Sequence, residues 1–122
     1  MEQNDGEPSK RRFGNSLPTD DPDGTDRAVA ELLTVFGKKH SLALLAMFAA
    51  DPGPWRFDEI KEILEISPDT LSSRLSEFKE LGLVSRQSYH ENPPRVEYTA
   101  TEDAEDLRPV FRQLYQWEED RG

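Results

Sequence analysis

Cysteine is absent from the sequence, long apolar runs are scarce, and basic residues are outnumbered by acidic ones. Without cysteine the chain has no disulfide, no thiolate-bound metal site and no thiol-based redox switch. The longest apolar run, LALLAMFAA at 42–50, is less than half as long as a membrane-spanning helix. The polar first residues also lack the apolar segment of a secretion signal. We therefore expect a cytoplasmic protein that does not enter a membrane.

The charge balance is strongly acidic. The 122 residues include 25 Asp and Glu against 15 Lys and Arg, which gives a net charge of −10. Such a surface repels phosphate, so the charge alone argues against a nucleic-acid partner. Two interpretations stay open: an acidic protein that docks other proteins, or adaptation to molar salt in a halophilic host, where carboxylates keep the surface hydrated.

The composition divides the chain into an arm and one domain. Residues 1–24 are rich in Pro, Gly, Asp and Ser and almost free of aliphatic side chains, which predicts a disordered acidic N-terminal arm. Its basic cluster, KRR at 10–12, is either solvated charge or a contact to nucleic acid. Residues 25–120 carry the apolar periodicity of a folded domain of ordinary size.

The spacing of apolar residues predicts five helices, at 26–36, 39–50, 58–64, 68–81 and 102–119, and a short strand at 55–57. The second helix is apolar nearly all round, which indicates the buried centre of the domain. Asp58 is a candidate N-cap for the third helix. The fourth has the clearest start, with Ser67 as N-cap and Pro68 in the first turn, and Gly82 ends it.

A hairpin is predicted after the fourth helix. LVSRQSY and RVEYTA alternate with a period of two on either side of HENPP, which predicts strands at 83–90 and 95–100. Thr101 then caps the last helix, in which Pro109 predicts either a bend or a later start. The order of elements predicts an α+β fold, mainly α, of the winged helix-turn-helix class.

The outward face of the fourth helix is the candidate binding surface. In this fold the second helix of the pair enters the major groove of DNA and the hairpin lies along the flanking duplex. Hydroxyl and guanidinium groups can contact base edges and phosphates. The plainer alternative is a solvated side chain at each position, and for the two wing arginines it is pairing with Glu91 and Glu97. The candidate DNA-binding residues are Thr70, Ser72, Ser73, Arg74, Ser76, Arg86 and Arg95.

No catalytic or metal-binding pattern is visible in the sequence. The two histidines, His40 and His90, lie in different elements, and the chain has neither a nucleophile elbow nor a glycine-rich phosphate loop. We therefore expect no enzyme activity, no metal and no cofactor.

The chain closely resembles the HxlR family of winged-helix transcriptional regulators over residues 26–118, through the segments GKKHSLALLAMF, RFDEIKEILEISPDTLSSRLSEFKELGLVSRQSYHENPPRVEYTAT and LRPVFRQLYQW. The resemblance implies a homodimer that binds operator DNA sequence-specifically, with helix 68–81 in the major groove and hairpin 83–100 as the wing. It also implies extra N- and C-terminal dimerisation helices. Their core or dimer residues would be Val29, Leu32, Phe36, Leu107, Phe111, Leu114 and Trp117.

Three departures from the family pattern matter. The chain lacks the cysteine with which many members sense oxidants, so redox sensing by that route is excluded. His40, which is expected to be buried or half-buried, stands where the family usually has tryptophan, and Ala104 replaces a glycine after the wing.

The sequence leaves the partner and the regulation partly open. The alternative function is a winged-helix module that docks a basic protein partner without specific DNA binding. A small-molecule effector between the dimer helices also stays open, with no residue pattern that names it. If the host is halophilic, counterion release contributes little to binding, and we expect the affinity for DNA to fall little as KCl rises.

Overall fold

Helices and strands follow the predicted order, and all of their ends lie within two residues of the predicted ones. The computed structural model describes residues 22–122, so the predicted arm, including the basic cluster at 10–12, lies almost wholly outside the described residues. The elements are α1 (Thr25–Phe36), α2 (Ser41–Ala50), β1 (Trp55–Arg56), α3 (Phe57–Leu64), α4 (Pro68–Glu80), β2 (Val84–Tyr89), β3 (Arg95–Ala100) and α5 (Glu102–Arg121).

The chain consists of two compact units, and the boundary between them lies after Thr34. The described part of the first unit, residues 22–34, contains most of α1, on which Val29 and Leu33 are exposed one turn apart. The second unit, residues 35–122, contains the last two residues of α1 and every later element.

The sheet of the second unit has three antiparallel strands in the order β1–β3–β2. Tyr98 in the central strand pairs with Trp55 on one side and with Arg86 on the other. The loop before β1 approaches β3 so closely that a Cβ atom on Gly53 would lie 2.8 Å from the carbonyl oxygen of Tyr98. Gly53 also has a φ of +104°, which a side chain would strain. Glycine is therefore required where this loop meets the sheet.

The core of the second unit forms between α2, α3 and α4. Leu44, Ile60 and Leu71 are fully buried, and Phe78 is 1% exposed. The ring of Phe36 lies 5.4 Å from that of Phe78, centroid to centroid, so the end of α1 belongs to the same core. This core fixes the inward face of α4 and thereby its outward face.

Helix α2 is less buried than predicted. Leu44, Leu45 and Phe48 are buried, but Leu42 is 39% exposed and Ala46 is also exposed. Helix α2 is thus apolar on nearly every side but is not buried on every side. Its exposed side lines an open groove with α5.

The ends of α2 and α3 correct two predictions. Helix α2 begins at Ser41 because the preceding His40 has a left-handed backbone with φ of 72°. His40 is half-buried, as expected. The N-cap of α3 is Arg56 and not Asp58: the backbone N–H of Arg56 donates to Glu59 Oε1 at 2.8 Å, which places Asp58 within the first turn.

The start and end signals of α4 are confirmed. Ser67 Oγ accepts a hydrogen bond from the backbone N–H of Thr70. At the other end Gly82 has a φ of +78°, and the N–H groups of Gly82 and Leu83 donate to the carbonyls of Lys79 and Phe78. This pair of bonds is the Schellman arrangement, in which a left-handed glycine closes the last helical turn.

Helix α5 begins directly after its predicted N-cap, Thr101. Thr101 Oγ1 accepts a hydrogen bond from the N–H of Ala104 and donates one to the carbonyl of Gly82 at 2.6 Å. The helix runs through Pro109 to Arg121, so the proline does not mark a later start. In the described part of the chain, no single helix is both long and apolar enough to cross a bilayer, although α1 and α2 meet that test when taken together as a bent pair.

Candidate nucleic-acid interface

A three-residue link joins α3 to α4. Glu65 adopts a left-handed backbone with φ of 53° after the last turn of α3, Ile66 is buried, and Ser67 caps α4. Since Leu71 and Leu75 face the core, the side chains of Ser72 and Ser73 between them point away from it. The two helices and their short link form a helix-turn-helix.

The predicted hydroxyl residues on α4 fall into two groups. Ser72, Ser73 and Ser76 are exposed, and none has a side-chain hydrogen bond among the described residues. Thr70 is half-buried, and its Oγ1 accepts a hydrogen bond from Ser67 Oγ at 3.0 Å. The three serines can therefore meet a ligand as they stand, whereas Thr70 is already part of the helix cap.

Arg74 is held by intramolecular partners. Its Nε donates to the carbonyl of Lys39 at 3.0 Å, and its Nη1 lies 2.7 Å from Glu77 Oε1. The side chain is only 15% exposed. Glu77 also pairs with Lys38 through its second oxygen, so this network ties α4 to the loop before α2. The placement of Arg74 favours a bracing role, and contact with DNA stays a prediction for it.

The network lowers the pKa of the Glu77 carboxyl. Burial opposes ionisation of this group, but hydrogen bonds from Lys38 and Arg74, supported by their charges, outweigh the burial. Glu77 is therefore ionised in the folded protein at neutral pH, and α4 carries a charged bond to the segment that precedes α2.

The two wing arginines differ. Arg95 pairs with Glu91 at 3.1 Å, its Nε lies 3.7 Å from Glu97, and its guanidinium stacks over the ring of Tyr89 at 4.1 Å. This is the plainer alternative that the sequence left open. Arg86 is exposed and has no such partner among residues 22–122. The two residues thus differ in charge: Arg86 is an unpaired cation, whereas the charge of Arg95 is balanced by carboxylates.

A polar groove separates α4 from the wing. It has a volume of about 310 Å³ and is lined by Ser72, Leu75, Ser76, Lys79, Arg86 and Tyr98. The Lys79 ammonium, like the Arg86 guanidinium, has no side-chain partner within the described part of the chain. The groove therefore presents two cations and two free hydroxyls to solvent. We call it the α4–wing groove.

Sequence reasoning missed Lys79 as a candidate site residue. The residue lies on the flank of α4 one turn after Ser76, a spacing that is visible in the sequence. What makes it part of a site is the position of Arg86 on the neighbouring strand, which only the packing of the hairpin against α4 supplies.

Between residues 22 and 122, no group of His, Asp and Glu is arranged to hold a metal ion.

The predicted dimer residues also divide. Phe36 and Phe111 are 5% and 9% exposed, and their rings lie 5.0 Å apart, which makes them core residues of the single chain. On α5, Leu114 and Trp117 are 48% and 58% exposed, together with Val110 at 57%. These three residues form one exposed apolar stripe, since their spacing of four and three places them on one side of the helix. Of the others, Val29 is exposed, whereas Leu32 and Leu107 are half-buried.

The architecture, with a short helix pair and a hairpin beside its second helix, is that of winged helix-turn-helix transcriptional regulators. Sequence comparison narrows this class. Residues 35–122 match the model of the family described as HxlR-like helix-turn-helix, and the chain belongs to that family. The match begins later than the resemblance predicted, because residues 26–34 fall outside it, and it coincides with the second compact unit.

Relatives and solved structures agree with this assignment. An uncharacterized HTH-type transcriptional regulator of Halalkalibacterium halodurans is 40% identical over 86 residues, which cover 70% of this chain and 75% of that protein. The regulator YkvN of Bacillus subtilis is 40% identical over 74 residues, covering 60% of this chain and 63% of that protein. The reduced form of the transcriptional regulator YodB from B. subtilis superposes with a TM-score of 0.64 at 32% identity, covering 72% of this chain and 85% of YodB. A MarR-family regulator from Enterococcus faecalis superposes with a TM-score of 0.68 at 31% identity, covering 88% of this chain and 93% of that protein.

The Glu77 network generates a prediction for pH-dependent stability. Because the pKa of Glu77 is lower in the folded than in the unfolded chain, its contribution is complete above the ordinary value of 4.5 and is lost as the pH falls through the lowered value. We expect wild type to be more stable than Glu77→Gln at about pH 6, with the difference shrinking towards about pH 3. Urea unfolding at fixed salt measures this difference.

Glu118→Gln is the matched control, since it removes a carboxylate from the exposed pair with Arg121. An exposed pair contributes little, so this variant should stay close to wild type at every pH. A Glu77→Gln difference that does not change with pH would contradict the assignment.

Proposed function

We propose that this protein is a homodimeric, sequence-specific DNA-binding regulator that places α4 in the major groove and the β2–β3 hairpin along the flanking duplex. The observation that carries the proposal is the α4–wing groove, which puts unpartnered cations beside the exposed serines of α4. The membership in a family of helix-turn-helix regulators supports the same conclusion.

In the proposed complex, residues of the groove contact phosphates and a residue outside the groove contacts a base edge. Lys79 and Arg86 line the same space as Ser72 and Ser76, so a phosphate there would meet two positive charges and two hydroxyl donors. Such contacts fix the position of a protein on the duplex without reading the sequence. Ser73 lies on the exposed face outside the groove lining and is free to meet a base edge. Arg74 would support these contacts by holding α4 in place.

The acidic surface is compatible with DNA binding in concentrated salt. From Ser67 to Tyr98 the chain has four basic and five acidic residues, so the proposed interface is much less acidic than the whole protein. Three of the acids, Glu77, Glu91 and Glu97, are paired with arginines there. In molar salt the Debye length is about 3 Å, so distant carboxylates repel DNA little. We propose that the protein works at high ionic strength.

The apolar stripe of α5 supports the homodimer. Val110, Leu114 and Trp117 together expose more apolar surface than a helix in water needs, and a second copy of the chain would cover it. Arg121 stacks on Trp117 at 4.7 Å but leaves the tryptophan 58% exposed. A two-fold dimer would present two copies of α4 to successive major grooves about 34 Å apart.

The DNA-contact assignment predicts the effect of removing the groove cations. Genomic fragments of the host that remain bound to the purified protein should share a pseudo-palindrome. On such a fragment, Lys79→Gln and Arg86→Gln should each lower the affinity roughly tenfold, because each loses a charge-assisted hydrogen bond worth about 1.5 kcal/mol. Fluorescence anisotropy at fixed KCl measures the affinity.

Arg108→Gln removes a cation of α5 that lines neither the α4–wing groove nor the apolar stripe, and this variant should bind DNA as wild type does. Ser73→Ala should change the preferred sequence, whereas the groove variants should weaken binding to all sequences alike. If no fragment is enriched at any salt concentration, the protein-docking module becomes the better function.

The salt proposal predicts an unusual ionic-strength profile. An ordinary DNA-binding protein with several phosphate contacts loses about three orders of magnitude or more in affinity over a fourfold rise in salt. For this chain we expect the affinity for its enriched fragment to fall little, or to rise, as KCl approaches molar levels. A steep fall over that range would show that the acidic surface has another cause.

The dimer proposal predicts that a charge in the apolar stripe separates the subunits. Leu114→Glu should raise the dissociation constant of the dimer at least about a hundredfold, because an unpaired carboxylate would be buried at the interface. Gln116→Glu introduces the same charge at an exposed position of α5 about a third of a turn from the centre of the stripe and serves as the control. Sedimentation velocity over a concentration series measures both. A monomeric wild type at all concentrations would contradict the proposal.

A further inference from the structure

A second groove, between α2 and α5, has no role in the DNA-binding proposal. Its volume is about 360 Å³, which lies within the range of small-molecule sites. Leu42 and Ala46 form part of its α2 wall, and Phe111 and Tyr115 form part of its α5 wall. All lining residues belong to the second compact unit. We call it the α2–α5 groove.

The charges around this groove have a distinct arrangement. Arg108 and Arg112 lie one helical turn apart on its α5 wall, and neither guanidinium has an ion-pair partner among residues 22–122. Three other arginines of the chain, Arg74, Arg95 and Arg121, are each paired with glutamate. Arg108 and Arg112 therefore place two unpaired positive charges beside an apolar wall in a chain with a net charge of −10.

The far end of the groove restricts the occupant further. Glu119 lines it two helical turns beyond Arg112. A ligand with one negative group at the Arg108–Arg112 end would be attracted, whereas a second negative group at the other end would be repelled by the carboxylate. The apolar walls between the two ends suit a flat or branched hydrocarbon body.

The groove lies on a different side of α5 from the apolar stripe proposed for the dimer. At about 100° per residue, Arg108, Phe111, Arg112 and Tyr115 fall within one sector of the helix, and the centre of the stripe lies roughly half a turn away. Contact of a second copy with Leu114 therefore does not by itself involve the α5 wall of the α2–α5 groove.

We propose that the α2–α5 groove binds a small organic monocarboxylate, with its carboxylate between Arg108 and Arg112 and its apolar body against Phe111 and the α2 wall. Bidentate pairing with guanidinium would orient the carboxylate. The Phe111 ring contacts Phe36, which contacts Phe78 on α4. An occupant therefore rests on the same aromatic cluster that supports the proposed recognition helix.

Benzoate is the probe that tests the proposal, with benzylamine and benzyl alcohol as cationic and neutral matches of the same size. Isothermal titration and amide NMR at one fixed KCl concentration are carried out on the full chain without DNA, so the result does not depend on the DNA-binding proposal. We expect millimolar binding of benzoate, at least tenfold weaker binding of the two matches, and shifted amide signals at Phe111 and Phe36.

Two kinds of variant separate the carboxylate contact from the apolar contact. Arg112→Gln should weaken benzoate binding about tenfold through the lost charge-assisted bond. Ala46→Phe should abolish binding by filling the groove while leaving both arginines in place. Arg121→Gln is the control on the same helix, since Arg121 does not line the groove. Circular dichroism establishes that each variant is folded.

Three results would overturn the proposal. The first is no benzoate binding to folded wild type up to tens of millimolar, and the second is binding that Arg112→Gln and Ala46→Phe leave unchanged. The third is dissociation of the wild-type dimer by Ala46→Phe, since the groove would then belong to the subunit interface.

Discussion

Within the second compact unit, the relative position of α4 and α5 depends on the ring of Phe36. It lies 5.4 Å from the Phe78 ring on α4 and 5.0 Å from the Phe111 ring on α5, in tilted geometries that favour aromatic pairs. Because all three rings are at least nine-tenths buried, α4 and α5 are packed against one shared side chain. A change in the position of either helix therefore costs contacts at the other, which makes α4 rigid enough to present a defined face.

Hydrogen bonds of Thr101 add to the packing of the aromatic cluster. The Thr101 hydroxyl uses both its donor and its acceptor, and its backbone N–H donates to the carbonyl of Leu83 at 3.0 Å. These bonds connect the Schellman turn after α4 to the start of α5, and β2 begins within the same turn. The hairpin is consequently fixed relative to α4, which is why Lys79 on the helix and Arg86 on the strand line one groove.

Features of the fold were predictable from the sequence where they depend on residues that are close together in the chain. The caps at Ser67, Gly82 and Thr101 were correct because a cap is decided by residues within one helical turn. The bond from Arg74 to the carbonyl of Lys39 was not visible, since the two residues lie 35 positions apart in the sequence. The exposed side of α2 was missed for a related reason: composition reports apolarity, whereas burial depends on which neighbouring helix covers each side.

The distribution of ion pairs connects the fold with the proposed sites. Arg74 and Arg95 are paired with glutamates, which balance their charge within the fold. A cation that stays unpaired next to a cavity keeps its full charge available for a ligand. Lys79 and Arg86 meet this condition at the α4–wing groove, and so does the arginine pair at the α2–α5 groove. Since both grooves border helices that contact the Phe36 cluster, the proposed DNA site and the proposed carboxylate site rest on one rigid support.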